Sequence, residues 1–290
     1  MEIPEDLELP FFSYGLFQPG QIGFGQIRPL VRETERGWTT PGTLLERDGL
    51  PIVDRGSDRV AGCLIRFKSG HEAGAYTAIN SIEPGRLYLW RVARVSRDGR
   101  EEDANILFGR KPSRGSIHPE YKTWDGSKEP LFTSAMTVVR ETLERNRNFE
   151  WNLEPFFRLQ MAYMLLWCAI ERFASFKYHL GSQVVEKVFK LATDPIFIAA
   201  LHKAVTERRE VFRSDDPRRK LVLDRDNPRK ALEYYYQIRS NITHRGKTAF
   251  RDHQMLHRSL TELHGIFQQV LRAEFSEPDY HPDGDGRQGW

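Results

Sequence analysis

Cysteine is almost absent. Of 290 residues only Cys63 and Cys168 are cysteines, so neither a disulfide framework nor a cysteine-rich zinc site can be assembled. Each lies in an apolar stretch and reads as a core residue. Long apolar runs are missing too. The longest, Met161 to Ile170, has ten residues and is bounded by Arg158 and Glu171-Arg172, well short of the roughly 20 needed to span a bilayer as a helix, so no membrane partner is expected. The acidic start Met1-Glu2-Ile3-Pro4-Glu5-Asp6 lacks the basic region and apolar core of a secretory signal, which makes the cytoplasm the expected location. A strong excess of one charge is also lacking: 43 Lys and Arg face 40 Asp and Glu, a net charge of +3, which permits phosphate-rich partners without requiring them. No internal repeat is visible.

What is present suits a folded chain. Hydrophobic residues make up 39% and charged residues 29%, too apolar a mixture for general disorder, and the length is enough for two cores. From Leu9 to Arg110, short apolar segments such as 60–67 and 87–95 alternate with Gly and Pro and read as strands, with one helix over Ala73–Ile82 stopped by Pro84-Gly85. Residues 111–129 are polar and rich in turn formers, as a linker would be. Beyond Pro130 the pattern turns to helical periods at 131–147, 154–180, 182–209, 228–244 and 250–275. The expected fold class is α+β in two domains: residues 1–110, a small mixed β-barrel, and residues 130–275, an all-α bundle, with a disordered tail over 276–290. The helix from Glu154 is apolar nearly all round between Phe156 and Ile170, so it is expected to run through the bundle's middle, covered by its neighbours. Glu171 and Arg172 within it read as a paired buried charge.

The chemistry-bearing stretch is Arg239-Ser240-Asn241-Ile242-Thr243-His244. His244 falls in the last turn of its helix, where carbonyl dipoles favour a protonated imidazole, which suits a proton shuttle. Arg239 precedes it by five residues, about 140° around a regular helix, so one chain does not place both side chains on one face. Pairing the helix with its symmetry mate would join them in a composite cleft of two arginines and two histidines. Upstream, Glu207–Lys230 carries nine Arg or Lys against six Asp or Glu, including Arg218-Arg219-Lys220, a basic stretch that a polyanion could use. His253 and His257 stand one helical turn apart, a metal-ligand spacing without a third ligand.

The segment Tyr236–Gly246 resembles the HEPN superfamily, whose motif is an Arg, four to six intervening residues and a His; here the gap is four. The resemblance covers about residues 130–275, with a long apolar helix before the motif helix. It implies a homodimeric endoribonuclease that needs no metal and no cofactor. The ribose 2′-hydroxyl would attack the adjacent phosphorus, His244 would move protons, and Arg239 would stabilise phosphate charge. Cleavage would be confined to RNA, tRNA among the candidates, and would leave a cyclic phosphate. Many active members place Asn, Asp or His directly after the arginine; this chain has Ser240 there and Asn241 next, so Asn241 is the third candidate catalytic residue. Ser240, Arg245, Lys247, Arg218, Arg219 and Lys220 are the candidate RNA contacts. One of Tyr234, Tyr235 and Tyr236 is a candidate stacking ring.

In the first half, Phe12–Gly20, Gly42, Asp48-Gly49-Leu50-Pro51, Val60-Ala61-Gly62 and Ile82-Glu83-Pro84 followed by Tyr88 are similar in order and spacing to the gamma-glutamyl cyclotransferase-like fold. That resemblance implies a β-barrel whose turn Tyr14-Gly15-Leu16 holds a substrate and whose Glu83 acts as general acid or base. Pro84 stands where the family commonly has glycine, and Trp90 where arginine is frequent. These departures favour a sensing or regulatory domain that answers a small molecule or an antitoxin. The expected whole is an RNA-cutting effector of a toxin or antiviral defence system. Two alternatives stand beside it: a cyclotransferase-type enzyme dimerised by its helical half, and a non-catalytic RNA-binding adaptor.

Overall fold

The computed structural model describes residues 1–47, 50–83, 85, 87–110, 116–117, 123–147, 153–178, 184–213, 216, 218–245 and 250–276; the side chains of residues 116, 117, 130, 184, 185, 244, 245 and 250–252 are outside that description. The chain is α+β, with its helical part mostly carboxy-terminal. Strands β1 (Phe11–Ser13), β2 (Val31–Arg47), β3 (Leu50–Phe67), β4 (Tyr88–Arg97), β5 (Arg100–Gly109) and β6 (Ser116–Ile117) pair in the order β3-β1-β5-β4-β2-β6, and β2 also pairs with β3. Strand β1 lies antiparallel to β3 and parallel to β5, so the sheet is mixed. The β2–β4 join is slight, one backbone pair between Thr39 and Ser96, and the Thr40 hydroxyl adds a bond to the Arg94 carbonyl at 3.1 Å. Strands β4 and β5 meet through Asp98-Gly99, both with positive φ (49° and 78°), the backbone that a two-residue hairpin turn demands and that Asp-Gly supplies readily.

Helix α2 (Glu72–Ile82) buries Ala75, Tyr76, Ile79 and Ile82 at helical spacing. Tyr76 ties it to the sheet: its hydroxyl donates to the Leu9 carbonyl at 2.7 Å and accepts from the Asn105 amide at 2.9 Å. The helix ends because Glu83 precedes Pro84. A residue before proline is pushed out of the helical region, and Glu83 is extended (φ −81°, ψ 125°). That local rule turns the Glu83 side chain into the core.

The second half holds α3 (Pro130–Arg145), α4 (Glu154–Tyr178), α5 (Val184–Lys190), α6 (Pro195–Ala204), α7 (Pro228–Arg245) and α8 (Phe250–Glu274). Four expectations are corrected here. The single helix over 182–209 is two helices and a strand: Asp194 is extended and its carboxylate caps the amides of Ile196 and Phe197, with Pro195 in the first turn, a start signal inside the expected helix. The half is not all-α, because β7 (Arg209–Phe212) and β8 (Lys220–Leu223) form an antiparallel hairpin whose Val211 and Leu223 are buried. And α4 is not covered on every side. It buries Leu159, Tyr163, Leu166, Trp167, Ile170 and Phe173, yet Leu153 just before it is 42% exposed, and on it Phe157 is 45% and Met161 72% exposed. Cys168 lies on the same exposed face and is not a core residue, whereas Cys63 is buried, its thiol pushed up to about 12 chiefly by burial.

One contiguous cluster joins buried apolar residues of the sheet and of the helices, and a second, around Phe12, Trp38, Val53 and Leu64, lies within the sheet half alone. Within the stretch read as a linker, residues 111–115 and 118–122 lie outside the described residues, but Trp124 is buried against Phe176 of α4, ring centroids 6.4 Å apart. Gln21 holds the same segment, donating to Asp125 at 3.1 Å and accepting from the Gly126 amide at 2.9 Å. Of the expected tail, residues 277–290 lie outside the described residues.

Candidate functional site

Helix α7 is started by Asn227, whose side-chain oxygen accepts from the Lys230 amide at 3.1 Å, with Pro228 in its first position. Its buried face is Ala231, Leu232, Tyr234, Tyr235 and Ile238. Tyr234 and Tyr235 are fully buried and Tyr236 packs edge-on against Trp167 at 5.7 Å. The first two therefore offer no ring to a base.

Arg239 lies on the side of α7 that faces α4. Its Nη2 is 3.7 Å from a carboxylate oxygen of Glu171, with the two side chains 26% and 24% exposed, and its guanidinium carbon stands 5.6 Å from the centroid of the Tyr236 ring. The buried Nε has no hydrogen-bond partner among the described residues. A guanidinium has five N–H donors in a fixed fork, and this one is held by a long ion pair and a ring while a buried donor stays unused. Burial raises the pKa of Glu171 while Arg239 lowers it, burial being the larger. Glu171 and Arg172 are thus not paired with each other: Arg172 goes to Glu129 at 3.7 Å and stacks on Phe176.

Asn241 points elsewhere, since two positions along a helix turn it about 200° from Arg239. Its amide donates to the Phe212 carbonyl at 2.8 Å and accepts from Gln237 at 2.8 Å. That bond brings the hairpin, and with it the basic segment, against the motif helix. Arg218 is 94% and Arg219 70% exposed, both beside Asp216, while Lys220 pairs with Glu210 at 2.9 Å. Ser240 is half-buried. The backbones of His244 and Arg245 close α7, their side chains and the whole of Lys247 lying outside the described residues. His253 and His257 are stacked, ring centroids 6.3 Å apart, and burial first and His257 second lower the pKa of His253. Among the described residues no three His, Cys, Asp or Glu side chains gather as a metal site.

The residues singled out in the first half do meet. Tyr14, Gly15, Leu16, Glu83 and Tyr88 line one small cavity of about 10 Å³. The Tyr14 hydroxyl donates to the Leu107 carbonyl at 2.5 Å and accepts from the Val53 amide at 3.3 Å, and Tyr88 donates to the Pro51 carbonyl at 2.7 Å. Gly15 passes so close to Pro51 that a Cβ there would lie 2.5 Å from its Cγ, an approach that only glycine allows. Glu83 is 4% exposed and its Oε2 has no hydrogen-bond partner among the described residues. Burial pushes its pKa up from 4.5 to about 8. Because the folded pKa is the higher one, this carboxyl favours folding at acid pH, and that contribution is lost as pH rises from about 4.5 through about 8. We therefore expect Glu83→Gln to flatten the fall in melting temperature between pH 5 and 8. Parallel curves for parent and variant in a thermal scan at each pH would contradict the buried, proton-bearing carboxyl.

Sequence reasoning missed Glu171 as the partner of Arg239, and it missed the hairpin. The first had a signal, a charged residue inside an otherwise apolar helix; the second had Glu210-Val211-Phe212 and Leu221-Val222-Leu223 on either side of a charged, proline-containing stretch. No family model matches this chain, and no curated protein matches it.

Proposed function

We propose that the protein is a metal-independent endoribonuclease that works as a homodimer through its helical half, with Arg239 and His244 at the reacting phosphate. The observation that carries this reading is the half-buried Arg239 guanidinium, whose ion pair to Glu171 is long, 3.7 Å, and whose Nε has no hydrogen-bond partner among the described residues. An incompletely satisfied guanidinium, held in place and reachable, suits a phosphate that brings two or more acceptor oxygens. The reaction needs no outside reagent. One His244 accepts the proton of the 2′-hydroxyl as its oxygen attacks phosphorus, the bond to the 5′-oxygen breaks, and a second His244 gives that oxygen a proton, leaving a 2′,3′-cyclic phosphate and a 5′-hydroxyl.

The dimer is supported by the uncovered stripe of α4. Phe157, Met161, Met164 and Cys168 follow one another at steps of four, three and four, and Met164 touches Thr243 of α7, sulfur to hydroxyl, at 3.7 Å. A helix apolar on all faces belongs in a core, and a second copy on this stripe would supply the missing cover while setting two Arg239 side chains near one another. Replacing Met161, 72% exposed, by Glu should then leave the fold intact and give a monomer in sedimentation velocity, with RNA cleavage lost at the same time. A charged variant that still sediments as a dimer would remove α4 as the interface.

The first half fits a regulatory ligand domain of the cyclotransferase-like kind, and the mixed pairing that returns from β2 to β3 suits a small barrel. Glu83 and the Tyr14-Gly15-Leu16 turn share a cavity too small to admit a substrate as it stands. That favours a pocket that opens for a ligand over a standing cyclotransferase site. The toxin or antiviral role rests on the pairing of such a domain with a ribonuclease.

A further inference from the structure

We infer that the cavity between α4, α7, α8 and the β7–β8 hairpin receives one unstacked RNA base beside the scissile phosphate, an inference that rests on the ribonuclease reading. The cavity has a volume of about 460 Å³, within the roughly 300–1,000 Å³ range of small-molecule sites. Phe156, Phe212, Ile238 and Met255 supply apolar and aromatic wall. Gln160, Asn241, Arg209 and Glu210 supply the polar groups, Glu210 being paired with Lys220. Arg209 gives both terminal nitrogens to Glu262 and also interacts with Tyr234, which fixes its side chain in the cavity wall. An acyl chain would use only the apolar wall, whereas a base brings a flat ring for the aromatic side chains and an edge of carbonyl and ring-nitrogen acceptors for the polar ones.

The place is right as well as the chemistry. Around α7, taking Arg239 as zero, Ser240 stands at about 100°, position 244 at about 140°, Asn241 at about 200° and Ile238 at about 260°. An RNA strand crossing the outer side of the helix therefore meets Arg239, then position 244, then Asn241 and the cavity. Phe212 is 44% exposed and carries the Lys220 ammonium 5.2 Å from its ring centroid, a ring and a cation together of the sort that holds unpaired bases.

Two measurements test it on the full chain. The first is saturation-transfer NMR with the four ribonucleoside 5′-monophosphates, on the parent, on Phe212→Ala and on Met255→Trp, which fills empty space. The second maps cut sites of the same proteins on a randomised RNA. We expect at least one monophosphate to bind, both variants to weaken it about fivefold to a hundredfold, and the base preference next to the cut to fade in both. Binding that both variants leave unchanged, or no binding together with an unaltered cut pattern, overturns the base pocket while the ribonuclease reading stands. Binding lost in both variants from a protein that cuts no RNA keeps the pocket and ends the ribonuclease reading.

Discussion

His244→Ala is expected to slow RNA cleavage by about 10²- to 10⁴-fold, the usual worth of a positioned proton-transfer group. Arg239→Ala should cost about 10²- to 10³-fold, as the loss of a donor to developing charge does elsewhere. The two effects should not multiply, because groups that act on one transition state fail together. Arg239→Lys separates the roles: it keeps the charge but loses the planar fork that matches a phosphate, so it should recover only a small part of the rate. The assay is a time course in EDTA on total tRNA, with single-stranded DNA as the uncut control and the 3′ ends analysed for cyclic phosphate. A His244→Ala protein that cuts at the parent's rate would end the proposed chemistry.

The largest loss of stability is expected from Glu262→Ala. Glu262 is 9% exposed and receives both terminal nitrogens of Arg209, the Tyr235 hydroxyl at 3.1 Å and the Arg258 Nε at 3.3 Å. These partners come from β7, α7 and α8, so one carboxylate joins the hairpin to two helices. Removing it leaves the Arg209 charge inside without its counter-ion, a change that costs about 3–5 kcal/mol where a buried pair is broken from one side. Urea unfolding followed by circular dichroism would show this as a lower midpoint with an unchanged slope. A midpoint equal to the parent's would mean that Arg209 finds another partner.

Most of the regular structure was legible because its signals are local. The run at 87–95 is a strand, Asn227-Pro228 starts α7, and Pro84 ends α2, each by a rule acting over a few residues. Part of what failed depended on contacts far along the chain, and part on a local signal passed over. Apolar residues all round α4 say that every face wants cover, but not which face its own chain leaves bare. The run 182–209 has helical composition, and only the Asp194-Pro195 pair and the alternation at 209–212 betray the break. Arg239 and the Tyr14–Leu16 turn were singled out from short motifs. Glu171 beside Arg239 and the Phe212 carbonyl under Asn241 come from other elements of the fold. Such pairings are set by the whole packing and leave no mark on the motif itself.

The bond from Asn241 to the Phe212 carbonyl spans 29 positions of the chain and ties the hairpin to the last turns of α7. Its consequence is one of leverage. The hairpin lies against α7 and ends in exposed arginines, so whatever grips those arginines acts, through that amide and through the Arg209–Glu262 pair, on the helix that presents position 244.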